Sequence, residues 1–311
     1  MGWPSAPGVN QKAKPVVILS MNNKSIAHFY RVDQPHMVGD GFRVKGYLPG
    51  PRNLQQQVSP FYLLDYNSPH FFPATDTPRG VGVHPHKGFE TVTIVFEGEL
   101  AHADSTGSSG TIGQDEVQWM TAGAGVLHKE FQTPEFSRAG GVQHMLQLWV
   151  NLPARHKQHA PRYQTLTSEN IPVVKLDENG SIVRVIGGDY IGVQGAAETL
   201  SPLSLLDIRL VPGSQTSIPV PSGWNALLLQ VDGEAIIQDS QSSEEGDMAV
   251  FGNEDGQVTI RTEQHPSRFI LMMGEPLNEP IAAYGPFLMN TQQEIVEAIQ
   301  EFQSGKFGIL H

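Results

Sequence analysis

The chain has 311 residues, no cysteine, and 32 acidic against 20 basic side chains for a formal charge of -12. These figures exclude disulfides and thiolate metal ligands, and they set the chain against phosphate backbones and anionic membrane surfaces. The 32 glycines and 23 prolines, with Val, Ile and Thr in short runs, point to many strands joined by tight turns, so the expected fold is all-β.

Met1 to Lys14 is small and polar with no apolar signal region, and no later stretch has the length of a membrane-spanning helix, so a cytoplasmic location is expected. Short strands are expected over 15–20, 27–32, 42–47 and 61–66, with Asp40-Gly41 as a turn. The β-branched run from Glu90 to Phe96, followed by Glu97-Gly98-Glu99, reads as one arm of a hairpin that returns over 100–105. Residues 106–115 read as loop, 117–121 as strand, Ala122-Gly123-Ala124-Gly125 as a small-residue turn, and 143–151 as a further strand.

Proline and charge over 152–164 suggest a linker, which divides the chain into domains 1–155 and 156–311. Strands resume at 182–186, 203–210, 226–231, 235–238, 247–251, 257–262 and 269–274. Their number and short turns resemble the first half, as an internal duplication would produce. Thr291-Gln292-Gln293-Glu294 is a capping box for one C-terminal helix, with Ile295, Val296, Ile299 and Phe302 at helical spacing and Gly305 as its stop.

His84-Pro85-His86 and His128-Lys129-Glu130 carry the chemistry, because alternate residues of a strand point to one face. If the two strands lie side by side, His84, His86, His128 and Glu130 converge as a ligand set for a divalent transition metal. Glu90 also follows His86 at an even offset, but Gly88 between them permits a bulge, so Glu130 is preferred as the carboxylate. His102 and His144 fall on strands of the same half and could support the ligands, although packed or surface roles are commoner. His156 and His159 read as solvated linker residues, and Trp119 and Trp149 as core aromatics. The second half has no comparable pair, and His265 sits before Pro266 in a turn, so that half is read as metal-free.

Val83-His84-Pro85-His86-Lys87-Gly88-Phe89-Glu90-Thr91-Val92-Thr93, Val117-Gln118-Trp119-Met120-Thr121-Ala122-Gly123 and Gln147-Leu148-Trp149-Val150-Asn151-Leu152 resemble signature stretches of the pirin family. Gly285-Pro286-Phe287-Leu288-Met289-Asn290-Thr291 and Gly305-Lys306-Phe307-Gly308 resemble that family's C-terminal end, so the likeness spans nearly the whole chain. Lys87 and Ala124 stand where arginine is common.

The resemblance implies a bicupin: an N-terminal metal-binding cupin barrel over 1–155 and a metal-free cupin barrel with the C-terminal helix over 156–311. It implies Fe2+ at His84, His86, His128 and Glu130, although nickel, cobalt, copper or manganese would suit the same donors. It further implies a dioxygenase that opens a flavonol such as quercetin with O2 and releases CO, with Glu130 as the catalytic base. The alternative is an iron-dependent redox regulator of transcription that acts through protein partners. A structural metal in a pure interaction module is less favoured, because structural sites are generally closed by protein ligands. A monomer without direct nucleic-acid or membrane binding is expected.

Overall fold

The computed structural model describes residues 22–50 and 54–311, so the strand expected over 15–20 lies outside the described residues. These residues form two compact units, each discontinuous in sequence. Among the described residues, one contains 31–166 and 275–311, and the other contains 22–30 and 167–274.

In the unit that carries the histidine pairs, a seven-stranded antiparallel sheet runs in the order Arg162–Leu166, Val117–Thr121, Phe89–Glu97, Gly141–Asn151, Phe61–Phe72, Phe42–Leu48, His36–Val38. A four-stranded sheet runs Gly80–His86, Val126–Phe131, Leu100–Asp104, Ser109–Ile112. Val95 and Met145 of the larger sheet pack against Leu100 and Ile112 of the smaller one, with Phe42 and Val44 completing the cluster. The second unit repeats this plan. Its seven-stranded sheet runs Ile26–Arg31, Asp247–Phe251, Asn225–Asp232, Ser267–Gly274, Leu203–Leu210, Ile182–Gly187, Val173–Lys175, and its four-stranded sheet runs Gln215–Val220, Gly256–Thr262, Glu234–Ile237, Gln241–Glu244. Eight consecutive strands occupy matching places in the two units, which is the topology of a duplicated domain.

The spatial units differ from a cut at residue 155. Residues 162–164, read as the end of a linker, belong to the strand Arg162–Leu166, which pairs with Val117–Thr121 from Thr121↔Arg162 to Val117↔Leu166. The strand Ile26–Arg31 takes the equivalent edge position in the second unit. Each unit's large sheet is thus extended by a strand from beyond its own eight-strand repeat. The expected hairpin from Glu90 to Ser105 also does not form: Phe89–Glu97 and Leu100–Asp104 meet at Gly98 (φ +94°) but enter different sheets. Residues 109–112, expected as loop, are the edge strand beside Leu100–Asp104.

The C-terminal helix, Gln292–Gln303, opens with the expected capping box between Thr291 and Glu294. Its buried face differs from the expected stripe, since Ile295, Ala298 and Ile299 pack inward while Val296 and Phe302 are 47% and 40% exposed. That face joins Ala282, Phe287, Met289 and Leu127, so the helix covers the back of the strand that bears His128. The same C-terminal region grips the His84–Gly88 segment. Lys87 N–H donates to the Pro286 carbonyl and Leu288 N–H to the Lys87 carbonyl. Gly88 has φ +91°, and a Cβ there would lie 2.0 Å from the Leu288 carbonyl oxygen, so glycine is required. Lys87 donates to the Ala124 carbonyl at 3.0 Å and pairs with Glu301, which turns the two departures from arginine toward the helix. Buried Lys157 ties these pieces together, donating to Gly88 O at 2.9 Å, Leu288 O at 2.8 Å and Asn151 Oδ1 at 2.7 Å.

Two stability predictions follow from these buried charges. In the second unit Asp207 is fully buried against Arg184, Arg209 and Arg268, with contacts of 2.8–3.0 Å. Burial alone would raise its carboxyl, but the guanidiniums of Arg268, Arg209 and Arg184 hold it far below the usual carboxylate range. Its stabilisation is complete above the unfolded value of about 4 and is lost as pH falls further. Asp207→Asn is expected to cost about 4 kcal/mol in urea unfolding at pH 7 and to flatten the acid limb of stability against pH. For Lys157, burial pushes the ammonium down to about 7 against the opposing pull of Glu279 and Glu294. The unfolded chain then binds more protons between about pH 7 and pH 10, so this group makes stability rise with pH in that window. Lys157→Met, which orphans three acceptors, is expected to lower stability by about 2 kcal/mol at pH 7 and to remove that rise between about pH 7 and pH 9.

Candidate metal centre

Gly80–His86 and Val126–Phe131 are antiparallel neighbours, with His84 opposite His128 and His86 opposite Val126. The side-by-side condition for convergence is therefore met. Between His128 and Glu130 the register slips, so Glu130 pairs with Val81 and the facing strand bulges around Gly82 and Val83. The bulge lets Val81 pack into the core cluster while His84 still turns toward His86 and His128.

Possible ligand atoms of His84, His86 and His128 lie within 4.8 Å of one another. A second group with the same spread contains His102, His128 and Glu130. The four predicted residues thus meet through His128, and Glu130 stands on the His102 side of it. Glu130 Oε1 accepts from Gln118 Nε2 at 2.7 Å and from Thr93 Oγ1 at 3.5 Å. Glu90 is directed elsewhere: it accepts from Thr121 Oγ1 at 2.6 Å, and burial raises its carboxyl.

The imidazoles have the electronic state a metal needs. Burial and the neighbouring His84 push His86 well below its ordinary range, with a Pro286 backbone hydrogen bond opposing. Burial followed by His86, His84 and His102 does the same to His128. Neutral rings present a lone pair. His84 Nδ1 lies 2.8 Å from the Gly82 carbonyl, which can only accept, so Nδ1 donates there and Nε2 is the ring nitrogen left to ligate. His86 Nδ1 and His128 Nε2 are buried without a hydrogen-bond partner. Two orphaned nitrogens beside a third lone pair are costly in a closed protein interior and fit a divalent cation.

The surrounding wall has two rows read directly from strand register. Gln118, Thr93, Gln147 and Asp65 succeed one another across four strands on the Glu130 side. Asp65 lies two strand spacings, about 10 Å, from Thr93. Burial raises its carboxyl to about 6 against the pull of His36. The adjacent row is Met120, Thr91, Trp149 and Leu63. Trp149, expected in the core, is only half-buried; it stacks on Phe89 at 4.1 Å and meets His86 edge-on at 5.1 Å, so it borders the site. Trp119 is fully buried core, as expected.

Among the other histidines, His102 contacts His128, whereas His144 bonds to Tyr66 Oη at 2.8 Å, away from the cluster. His156 and His159 are half-buried. Asp104, Gln118, Thr93, Tyr163 and Asp65 were not singled out from the sequence. Gln118 and Thr93 do alternate along their strands with core residues, but a polar residue on an inward face names no partner. In the second unit, matching strand positions to His84, His86, His128 and Glu130 hold Ile218, Val220, Val258 and Ile260, all within its apolar core.

Two family models match the chain: pirin over residues 41–150 and the pirin C-terminal cupin domain over residues 205–308. The crystal structure of quercetin 2,3-dioxygenase from Acinetobacter baumannii is 46% identical with a TM-score of 0.88, covering 93% of this chain and 100% of that one. A Pseudomonas aeruginosa protein provisionally named a quercetin 2,3-dioxygenase is 42% identical over 284 residues, 91% of this chain and 98% of that protein. Human pirin is 38% identical over 274 residues, 87% of this chain and 89% of its own length. No helix among the described residues is long and apolar enough to cross a membrane. With both cupin domains matched in order and relatives aligned over nearly its full length, the chain belongs to the pirin family.

Proposed function

We propose that this protein is a metal-dependent dioxygenase that opens flavonols such as quercetin with O2 and releases CO. The observation that carries the reading is the convergence of His84, His86 and His128, with a buried nitrogen of His86 and one of His128 left unpaired, and with Glu130 beside His128. The similarity to the Acinetobacter quercetin 2,3-dioxygenase supplies the substrate class.

His84, His86 and His128 would hold a divalent ion, with Glu130 as the carboxylate donor, and Fe2+ is the metal the family resemblance favours. Such an ion would supply Lewis acidity toward the substrate oxygen and redox chemistry toward O2. Glu130 takes the proton of the flavonol 3-hydroxyl, since a carboxylate next to that oxygen is the available base. Gln118 and Thr93 hold its Oε1, which leaves Oε2 as the single oxygen that would serve as donor and, on shifting from that role, as base. Half-buried Trp149, backed by the fully buried ring of Phe89 stacked on it, offers an apolar border on which an aromatic ring system can lie. In the overall reaction two bonds of the central ring break, one carbon leaves as CO, and both atoms of O2 remain in the ester product.

Protein loaded anaerobically with Fe2+ and then exposed to air with quercetin is expected to consume it and release CO. His86→Ala is expected to lose metal and turnover together. Glu130→Gln is expected to lower kcat by about 100-fold with quercetin still bound. Untouched quercetin with fully loaded protein would defeat the reading and turn attention to the regulatory alternative.

A further inference from the structure

We infer that Asp104 and His102 form a tautomer relay that keeps the proton of His128 on Nδ1 and so aims the Nε2 lone pair of His128 at the metal position. The starting point is a turn. Asp104 Oδ1 accepts three hydrogen bonds, from Thr106 N at 2.8 Å, Thr106 Oγ1 at 2.6 Å and Ser108 N at 3.2 Å. Its other oxygen, Oδ2, lies 3.2 Å from His102 Nε2. An ionised carboxylate only accepts, so His102 carries a proton on Nε2, and in the neutral ring its lone pair is on Nδ1.

His102 Nδ1 in turn lies 3.5 Å from His128 Nδ1. Two facing nitrogens bond only if one carries a proton, and His102 has none there. The proton is therefore on His128 Nδ1, and the lone pair of His128 is on Nε2, the nitrogen that has no protein partner. A ligating histidine whose second nitrogen is held in this way gains basicity and a fixed ring orientation.

This assignment also decides between the two possible metal groups. His102 has one nitrogen protonated toward Asp104 and the other accepting from His128, so it has no lone pair to offer a cation. His102 is thus a support of the site formed by His84, His86, His128 and Glu130, and its group with His128 and Glu130 is not a second site. Tyr163 stacks on His102 with centroids 4.4 Å apart and planes 11° from parallel, which fixes the ring. Tyr163 Oη also lies 3.2 Å from Gln118 Oε1, leaving the Gln118 amide nitrogen toward Glu130. One stacked pair thereby orients the supports of both His128 and Glu130. His102 and Asp104 are positioning residues, and their role rests on His128 being a ligand as proposed above.

Asp104→Asn tests the relay because the turn dictates how the amide sits. Three donors at the Oδ1 place require the amide oxygen there, so the NH2 faces His102 Nε2 and must donate. His102 then carries its proton on Nδ1, His128 Nδ1 must accept, and His128 Nε2 becomes protonated. Titration of the metal-free proteins with cobalt(II) is expected to show at least a 10-fold weaker affinity for Asp104→Asn. Nitrogen-15 shifts of the metal-free proteins are expected to show His128 protonated on Nδ1 in the parent and on Nε2 in the variant. A folded variant with unchanged His128 tautomer and unchanged affinity would overturn the relay. If the variant does not fold, the parent protein still decides: His128 protonated on Nε2 would refute the proposal. Failure of the parent to bind cobalt(II) with the expected tautomer present would instead strike at the metal reading, leaving the relay intact.

Discussion

The pairing of Gly80–His86 with Val126–Phe131 is the constraint on which the site depends. It sets His84 across from His128, and the bulge around Gly82 and Val83 lets the two strands keep both a core contact at Val81 and an imidazole cluster. A slip of one residue in a strand exchanges its two faces, so the cluster exists only in this register. The rest of the unit protects that register. Leu100–Asp104 flanks the other side of Val126–Phe131, the C-terminal helix packs on Leu127, and the segment around Leu288 clamps Lys87 and Gly88.

The two units show how one scaffold can carry different interiors. Both use a seven-stranded and a four-stranded sheet in the same order. Where the first unit places His84, His86, His128 and Glu130, the second has Ile218, Val220, Val258 and Ile260, buried in a single apolar cluster. Burying the imidazoles of His86 and His128 and the carboxylate of Glu130 is costly unless their polar atoms find partners, whereas aliphatic side chains stabilise the matching positions directly. The first unit therefore needs a supporting polar layer, and it has one in Asp104, His102, Tyr163, Gln118 and Thr93. The second unit concentrates its buried charge elsewhere, at Asp207 and three arginines.

Much of this was legible in the sequence wherever the signal is local. The strands Val117–Thr121, Leu203–Leu210 and Asp247–Phe251 end where their apolar runs end, and the Thr291–Glu294 capping box starts its helix as expected. Errors occur where distant chain segments decide. Glu97-Gly98-Glu99 looks like a hairpin turn, yet each arm finds better partners in a separate sheet. Arg162–Leu166 has prolines and charges nearby, but the open edge of Val117–Thr121 recruits it as a strand. Trp149 carries no mark that separates it from Trp119; only its place beside His86 makes it part of the site wall.

The sequence alone determined the all-β class, the C-terminal helix and the candidate donors, because strand periodicity, helix capping and ligand chemistry are properties of neighbouring residues. Tertiary structure alone decided which segments complete each unit, that Glu130 stands on the His102 side of His128, that Asp104 bonds to His102 and Gln118 to Glu130, and that Lys157 ties Gly88 to Leu288. Those are relations across tens of residues, set by which strand edges pair and which buried polar atoms can satisfy one another, and a linear reading has no term for either.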